Sequence, residues 1–544
     1  MKRTKRIFAI FMTLALAMSM LIVSSAVSFA AAPPTSQTIK SGSAADENGN
    51  YTISVASGDT HSYKVYQILT GTLTAGESKL GNPQWGSDAK GGADNSVKTF
   101  IDSITASGLT NNQINDLVKA QLKDNATGVG TVSAGSPLDV APGYYFIVDT
   151  TESLAKGDAK SLNIVAVFND IELAPKKDTV ESEKHVDDVN DSLASDHSEL
   201  KDSADYDIGD SVPYTLTFKL PDDYANYKQY HVSFLDDMSK GLTYNGDAKI
   251  YYGATDKTGT DIGTAFAQDA SSINSAYEGG KVYKYTVANL KAADATDAQK
   301  ALVAGDTITI KYTATLNSDA VIGAAGNPNE YHVQYSSNPN QEAGGIPETN
   351  ETPHDVNIVF TYKTVFNKVD GNGKPLTGAD FTLYKKVVDD SAAGFSWVDV
   401  TTLNSGADAA NPTKTKEAFS NAKGEAANAK FTFSGLDAGD YKLVETTTPS
   451  GYNTIADVEF KITATHELES DAPELKTLTG TDGAQFTMTP DVTAGSLTTD
   501  ITNQSGAELP STGGIGTIIF YVLGSLLVVG CGIVLISKRR MESR

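Results

Sequence analysis

At 544 residues the chain is long enough for about three or four domains. With 40% hydrophobic and 20% charged residues it can bury ordinary cores, which excludes wholesale disorder. Lys plus Arg number 43 against 67 Asp plus Glu, and the net charge of −24 argues against binding nucleic acid or anionic lipid through net charge. The single cysteine, Cys531, lies in an apolar run and excludes an internal disulfide framework and a Cys-based zinc cluster.

The chain opens with the basic residues Lys2, Arg3, Lys5 and Arg6, an apolar stretch over 7–23 and the small residues Ser28 and Ala30. Residues 1–30 read as a secretory signal peptide, with an uncleaved anchor as the alternative. A β-rich first module is expected over 36–175. Within it Val97, Phe100, Ile101 and Ile104, then Ile114, Leu117, Val118 and Gln121 or Leu122, have helical spacing. Two helices are placed between 94 and 123, with Thr110 as a cap for the second.

Ala174-Pro175-Lys176-Lys177 closes the first module, and a middle module is expected over 176–350. Its polar, acidic stretch 187–207 reads as a solvated linker, although so many carboxylates also suit a cation. Val212, Tyr214, Leu216, Phe218 and Leu220 alternate with polar residues, as do Ile308, Ile310, Tyr312, Ala314 and Leu316. Period two of this kind, broken by Gly, Asn, Asp and Pro clusters, predicts antiparallel β-sandwiches. Prolines at 347 and 353 separate a third module, 355–505, where Phe431, Phe433 and the run 441–444 repeat the pattern. The fold class is therefore all-β, in tandem immunoglobulin-like sandwiches, with a helical insertion in the first module.

At the far end Leu509-Pro510-Ser511-Thr512-Gly513 precedes an apolar run over 515–536 and a basic tail, 537–544, carrying Lys538, Arg539 and Arg540. At ~1.5 Å per residue that run reaches about 33 Å, enough to cross a bilayer with the basic tail inside. The order of motif, span and positive tail resembles the sorting signal of Gram-positive surface proteins. That resemblance implies cleavage by a sortase between Thr512 and Gly513, with the Thr carbonyl passed through an acyl-enzyme to an amine. The chain would be the substrate of this reaction. Without the two ends, which carry eight basic residues and one acidic, the remaining body is more acidic still and has no cysteine.

The modules carry further resemblances. Phe366-Asn367-Lys368-Val369-Asp370, the segment Gly373-Lys374-Pro375-Leu376-Thr377-Gly378, Tyr441-Lys442-Leu443-Val444-Glu445-Thr446 and Pro449-Ser450-Gly451-Tyr452 resemble a collagen-adhesin B-type repeat. Lys184-His185-Val186, Ile208-Gly209-Asp210-Ser211-Val212, Asp236-Asp237-Met238 and Asn327-Pro328-Asn329 resemble the middle domain of isopeptide-forming pilins. Val65-Tyr66-Gln67-Ile68 is similar to the start of such pilins. The whole chain resembles a sortase-assembled, LPXTG-anchored major (backbone) pilin.

The resemblance implies two kinds of lysine chemistry. Inside a sandwich, a Lys amine attacks an Asn side-chain carbonyl and ammonia leaves, helped by an acid that carries the proton. An amine with an ordinary pKa of about 10.4 is charged and cannot attack, so the site must be buried. In the third module the implied set is Lys368, Glu445 and Asn503, and in the middle module Lys184 and Asp236. For the middle Asn, Asn329 at the start of a strand over 331–335 is preferred to Asn338 and Asn317, against the turn-forming habit of Asn-Pro-Asn. Lys, acid and Asn are expected on adjacent strands. In the first module Lys64, Asn163 and Asn169 make no complete set. Between subunits, the family's Tyr-Pro-Lys-Asn motif aligns with Ala174-Pro175-Lys176-Lys177, which makes Lys176 the implied acceptor and Lys177 the alternative.

Asp370-Gly371-Asn372-Gly373 reads as a β-turn, because the continuation of a calcium loop is missing. His185, His197 and His231 lack metal-ligand spacing, and no phosphate loop or Ser-His-Asp arrangement is visible. The expectation is a non-enzymatic shaft subunit without cofactor or metal, secreted and attached to the cell wall. Its expected partners are pilus-specific and housekeeping sortases, copies of itself, peptidoglycan, and minor pilins or host ligands, with no nucleic acid. A monomeric wall-anchored adhesin and a base or tip pilin are the alternatives.

Overall fold

The computed structural model describes residues 37–39, 44–73, 80–92, 96–106, 109, 111–156, 158–173, 180–189, 192, 200–253, 258–269, 273–339, 341, 344, 347–389, 394–403, 415–420, 426–481, 487–506 and 515–542. The signal segment 1–30, Thr110, Lys176, Lys177, Thr512 and Gly513 lie outside the described residues.

The first module is built on two sheets. One runs in the order 37–39, 171–173, 51–55, 138–140, and the other in the order 80–85, 62–73, 143–149, 162–167, with 130–133 also paired to 62–73. The helices expected here are Ser96–Ile104 and Asn111–Gln121. Phe100, Ile101, Ile104 and Val118 pack on Ile68, Leu69, Tyr144 and Phe146 of the second sheet. That sheet buries its other face against the first through Val65, Tyr145, Ile147 and Val165. Both its faces are thus apolar, which explains the near-continuous burial of Gly143–Asp149.

The middle module is a sandwich of two seven-stranded sheets. Ser182–Asp187, Ser211–Lys219, Thr307–Leu316 and Lys249–Tyr252 form the centre of one sheet. Asp355–Phe360, Asn327–Ser336, Val232–Met238 and Lys281–Val287 form the centre of the other. The alternating residues Val212, Tyr214, Leu216, Phe218, Ile308, Ile310 and Ala314 all face the core. The third module has two five-stranded sheets. Tyr362–Asp370 lies between Ala426–Leu436 and Ser496–Asn503 in one, and Asp380–Asp389, Gly439–Thr447 and Val458–His466 are adjacent in the other.

Three expectations need correction. Asp355–Phe360 does not open the third module, because it pairs antiparallel with Asn327–Ser336 and parallel with Ser203–Asp205 inside the middle sandwich. The strands of the third module begin at Tyr362. The acidic stretch 187–207 is not wholly a solvated linker. Leu200–Lys201 and Ser203–Asp205 are strands, and Ser203, Asp205 and Asp207 are buried where the middle and third modules meet. Finally, Asn329 lies inside a strand running Asn327–Ser336, which starts four residues earlier than the start expected at 331.

The middle and third modules are closely docked. Ile208 donates its N–H to the Gly435 carbonyl, and Lys385 reaches Asp207 at 2.5 Å and Asp437 at 3.0 Å in a fully buried ion cluster. At the same seam a Cβ on Gly495 would lie 2.4 Å from the Gly323 Cα, so neither position has room for a side chain. The C-terminal helix, Ile515–Glu542, includes 22 residues, Phe520–Met541, long and apolar enough to cross a membrane, with Arg539 and Arg540 in its last turn.

Candidate functional site

Lysine normally keeps its amine in water, because burying an unpaired ammonium is costly. Three of the described lysines are fully buried: Lys184, Lys368 and Lys385. Lys184 and Lys368 are the two singled out for amide-bond chemistry.

In the middle module Lys184 projects from Ser182–Asp187 toward the facing sheet, where it contacts the Asp236 carboxylate. Asp236 and Asn329 occupy neighbouring strands whose register sets Asp236 opposite Tyr331 and Met238 opposite Asn329, so both side chains share the inner face. Lys184, Asp236 and Asn329 are all fully buried. The group that joins them is Tyr312, which sequence reasoning placed only in the core. Its hydroxyl donates to Asp236 at 2.6 Å and accepts from Asn329 Nδ2 at 2.8 Å and from the Lys184 amine at 3.3 Å. Burial pulls the Lys184 amine below its ordinary value, against the pull of Asp236. Burial, with the adjacent Asp236, pushes the Tyr312 hydroxyl far up, so it remains a proton donor. The alternatives are elsewhere: Asn317 bonds to Lys240 O and Thr243, and Asn338 bonds to Glu348.

In the third module Lys368 and Asn503 lie on adjacent parallel strands, with Lys368 opposite Ile501 and Asp370 opposite Asn503. The Lys368 amine donates to the Ile501 carbonyl at 2.9 Å. Glu445 comes from the facing sheet, and its two oxygens accept from Asn503 Nδ2 at 2.8 and 3.1 Å. Thr448 and the Ile455 N–H also donate to Glu445 and hold it in place. Burial brings the Lys368 amine down to about 8, with Glu445 opposing.

The expectation of three adjacent strands is therefore corrected in both places. In the middle module Lys184 is on the opposite sheet from the acid and the Asn, whereas in the third module the acid is on the opposite sheet. A side chain crossing the ~10 Å gap between packed sheets meets its partners as directly as one on a neighbouring strand. The two sites share a feature that sequence cannot display. The side-chain carbonyl oxygens of Asn329 and Asn503 are buried and accept no hydrogen bond, while each amide nitrogen donates into the acid network, to the Tyr312 hydroxyl and to Glu445 respectively. Buried polar atoms in this condition are uncommon and ask for a reason. In the first module Lys64 is only partly buried, and no comparable set is assigned there.

Residues 208–339 match the Gram-positive pilin backbone subunit 2, Cna-B-like domain, and residues 501–543 match the LPXTG cell wall anchor motif. The chain thus carries a Gram-positive pilin backbone domain together with an LPXTG wall-anchor motif. It is accordingly a secreted surface protein attached to the cell wall. Residues 363–474 match a prealbumin-like fold domain. The trypsin-resistant surface T6 protein of Streptococcus pyogenes serotype M6 is 26% identical over 374 residues. That alignment takes in 61% of this chain and 65% of the T6 protein, so the chain spans just under two thirds of that relative's length. Among solved structures, the T6 backbone pilin of serotype M6 S. pyogenes gives a TM-score of 0.44 at 17% identity, covering 84% of this chain and 98% of that chain. The full-length major pilin SpaD of Corynebacterium diphtheriae gives 0.42 at 16%, with the same coverage.

Proposed function

We propose that this pilin is a non-enzymatic structural subunit of a covalently polymerised shaft. In this reading Thr512 is transferred by a sortase to Lys176 of the next subunit, and two internal amide bonds, Lys184–Asn329 and Lys368–Asn503, stiffen the wall-proximal modules. The observation that carries the internal bonds is the presence of two fully buried lysines, each grouped with a buried acid and a buried Asn whose carbonyl oxygen is unpaired.

The chemistry is an acyl transfer within the chain. The neutral amine adds to the Asn Cγ, and the C–N bond to the amide nitrogen breaks. One amine proton passes through the acid to that nitrogen, which leaves as ammonia. Glu445 already holds the leaving nitrogen of Asn503. Asp236 reaches the leaving nitrogen of Asn329 only through the Tyr312 hydroxyl, which makes Tyr312 the proton relay of the middle module.

Tryptic mapping by tandem mass spectrometry tests this reading. Branched peptides joining Lys184 to Asn329 and Lys368 to Asn503 are expected from the wild type. In Tyr312→Phe the middle branched peptide falls at least tenfold at a fixed time after synthesis, whereas the third-module peptide is unchanged. Linear peptides alone in the wild type would overturn the internal bonds. Equal yields of the middle peptide in wild type and Tyr312→Phe would remove Tyr312 from the relay.

A further inference from the structure

The seam between the middle and third modules gathers several carboxylates in one place. Asp205, Asp207 and Asp437 are buried there, with Asp188 beside them, and Lys385 is the fully buried cation among them. Lys385 pairs with Asp207 and Asp437, and the Asp437 Oδ1 is buried without a hydrogen-bond partner. Asp188 and Asp205 contribute oxygens that lie within 4.8 Å of each other and of a ring nitrogen of His466. Asp188 and Asp205 belong to the middle module and His466 to the end of Val458–His466 in the third.

Hydrogen bonding fixes the tautomer of His466. Ser203 Oγ donates its one proton to the Glu467 carbonyl at 2.5 Å and lies 2.6 Å from His466 Nδ1. With its proton committed, Ser203 accepts from Nδ1–H, and Nε2 keeps the lone pair. Phe360 packs against the ring at 5.7 Å and restrains its orientation. A neutral imidazole held by an oxygen at one nitrogen and presenting the other is the usual form of a metal-binding histidine.

We propose that Asp188, Asp205 and His466 form a divalent transition-metal site, suited to zinc, that staples the middle module to the third. Two carboxylates and one neutral imidazole suit zinc in donor type, and water completes four-coordination. The ion would cancel the two charges of Asp188 and Asp205 at a buried seam, which a monovalent ion cannot do. It depends on neither the sortase reaction nor the internal amide bonds. The other His–carboxylate group, Glu330, His332 and His354, is less apt: its imidazoles stack 4.2 Å apart at 4°, so their in-plane lone pairs run side by side instead of converging.

The test uses the purified full chain in detergent, stripped with EDTA, equilibrated with zinc and passed through gel filtration before elemental analysis. One zinc per chain is expected, together with a zinc-dependent rise in the melting temperature. His466→Ala and Asp188→Asn should each lose both effects, while the Glu330→Gln/His354→Ala double variant keeps them. Asp188→Asn preserves side-chain size, and a circular dichroism spectrum matching that of the metal-free wild type separates a lost ligand from a lost fold. No retained zinc in the wild type, retention in both seam variants, or loss only in the double variant would each overturn the proposal.

Discussion

Lys176→Ala is expected to abolish the high-mass ladder seen when wall extracts are run on denaturing gels, leaving monomer that is still wall-attached. The reason lies in the two ends of the transfer. A sortase acyl-enzyme carrying Thr512 needs an amine, and removing the acceptor lysine stops chain growth without touching the sorting motif that serves attachment to the wall. The proposed acceptor follows Pro175 in the sequence, at the expected end of the first module, and a connection between domains is ordinarily exposed. An exposed amine stays protonated near neutral pH, so polymerisation needs an enzyme to deprotonate it. Thr512→Ala should remove the ladder and the wall-attached monomer together. A full ladder in Lys176→Ala with loss in Lys177→Ala would move the acceptor by one residue. A full ladder in the double variant would refute shaft polymerisation through this segment.

Lys368→Ala is expected to lower the melting temperature of the third module by roughly 10–20 °C and to open it to protease. The Lys368–Asn503 bond would close a loop of about 135 residues, and by analogy with disulfide loop entropy it contributes roughly 5 kcal/mol. One kcal/mol shifts the midpoint of a domain this size by about 2–4 °C. The bond would join Tyr362–Asp370 to Ser496–Asn503, the first and last long strands of the module, which are adjacent and parallel. It would therefore hold the points where the chain enters and leaves. Asn503→Ala should reproduce the effect, because either change removes the bond. The same midpoint in wild type and both variants, with unchanged proteolysis, would count against a cross-link.

The parts of this structure that were legible in sequence are those encoded locally. The alternation through Val212, Tyr214, Leu216 and Phe218 marks an inward face because side chains in a strand repeat every two residues. The helical spacing of Phe100, Ile101 and Ile104 is equally local. Lys184 and Lys368 were found through short motifs, not through any visible sign of burial. Asn-Pro-Asn looks like a turn, yet it lies in a strand. At Pro328 the neighbouring strand Val232–Met238 has ended; the Ser239 N–H still donates to the Pro328 carbonyl, so the ladder there gives up only the proline's missing N–H.

The relay role proposed for Tyr312 is hidden in sequence because its hydroxyl partners come from strands elsewhere in the chain, with Asp236 76 residues away. The acidic segment 187–207 was misread for a related reason. Asp205 and Asp207 are buried beside His466, Asp437 and Lys385, which belong to a later module. Composition can report the charge of such a segment but not what will later cover it.

The most direct test of the account is the intact mass of the purified chain, set against the mass calculated from its sequence after any removal of the signal. The prediction is a deficit of two ammonia molecules in the wild type and of one in Glu445→Ala, where the amine and amide remain but the proton carrier is gone. A wild-type mass equal to the sequence mass would contradict it.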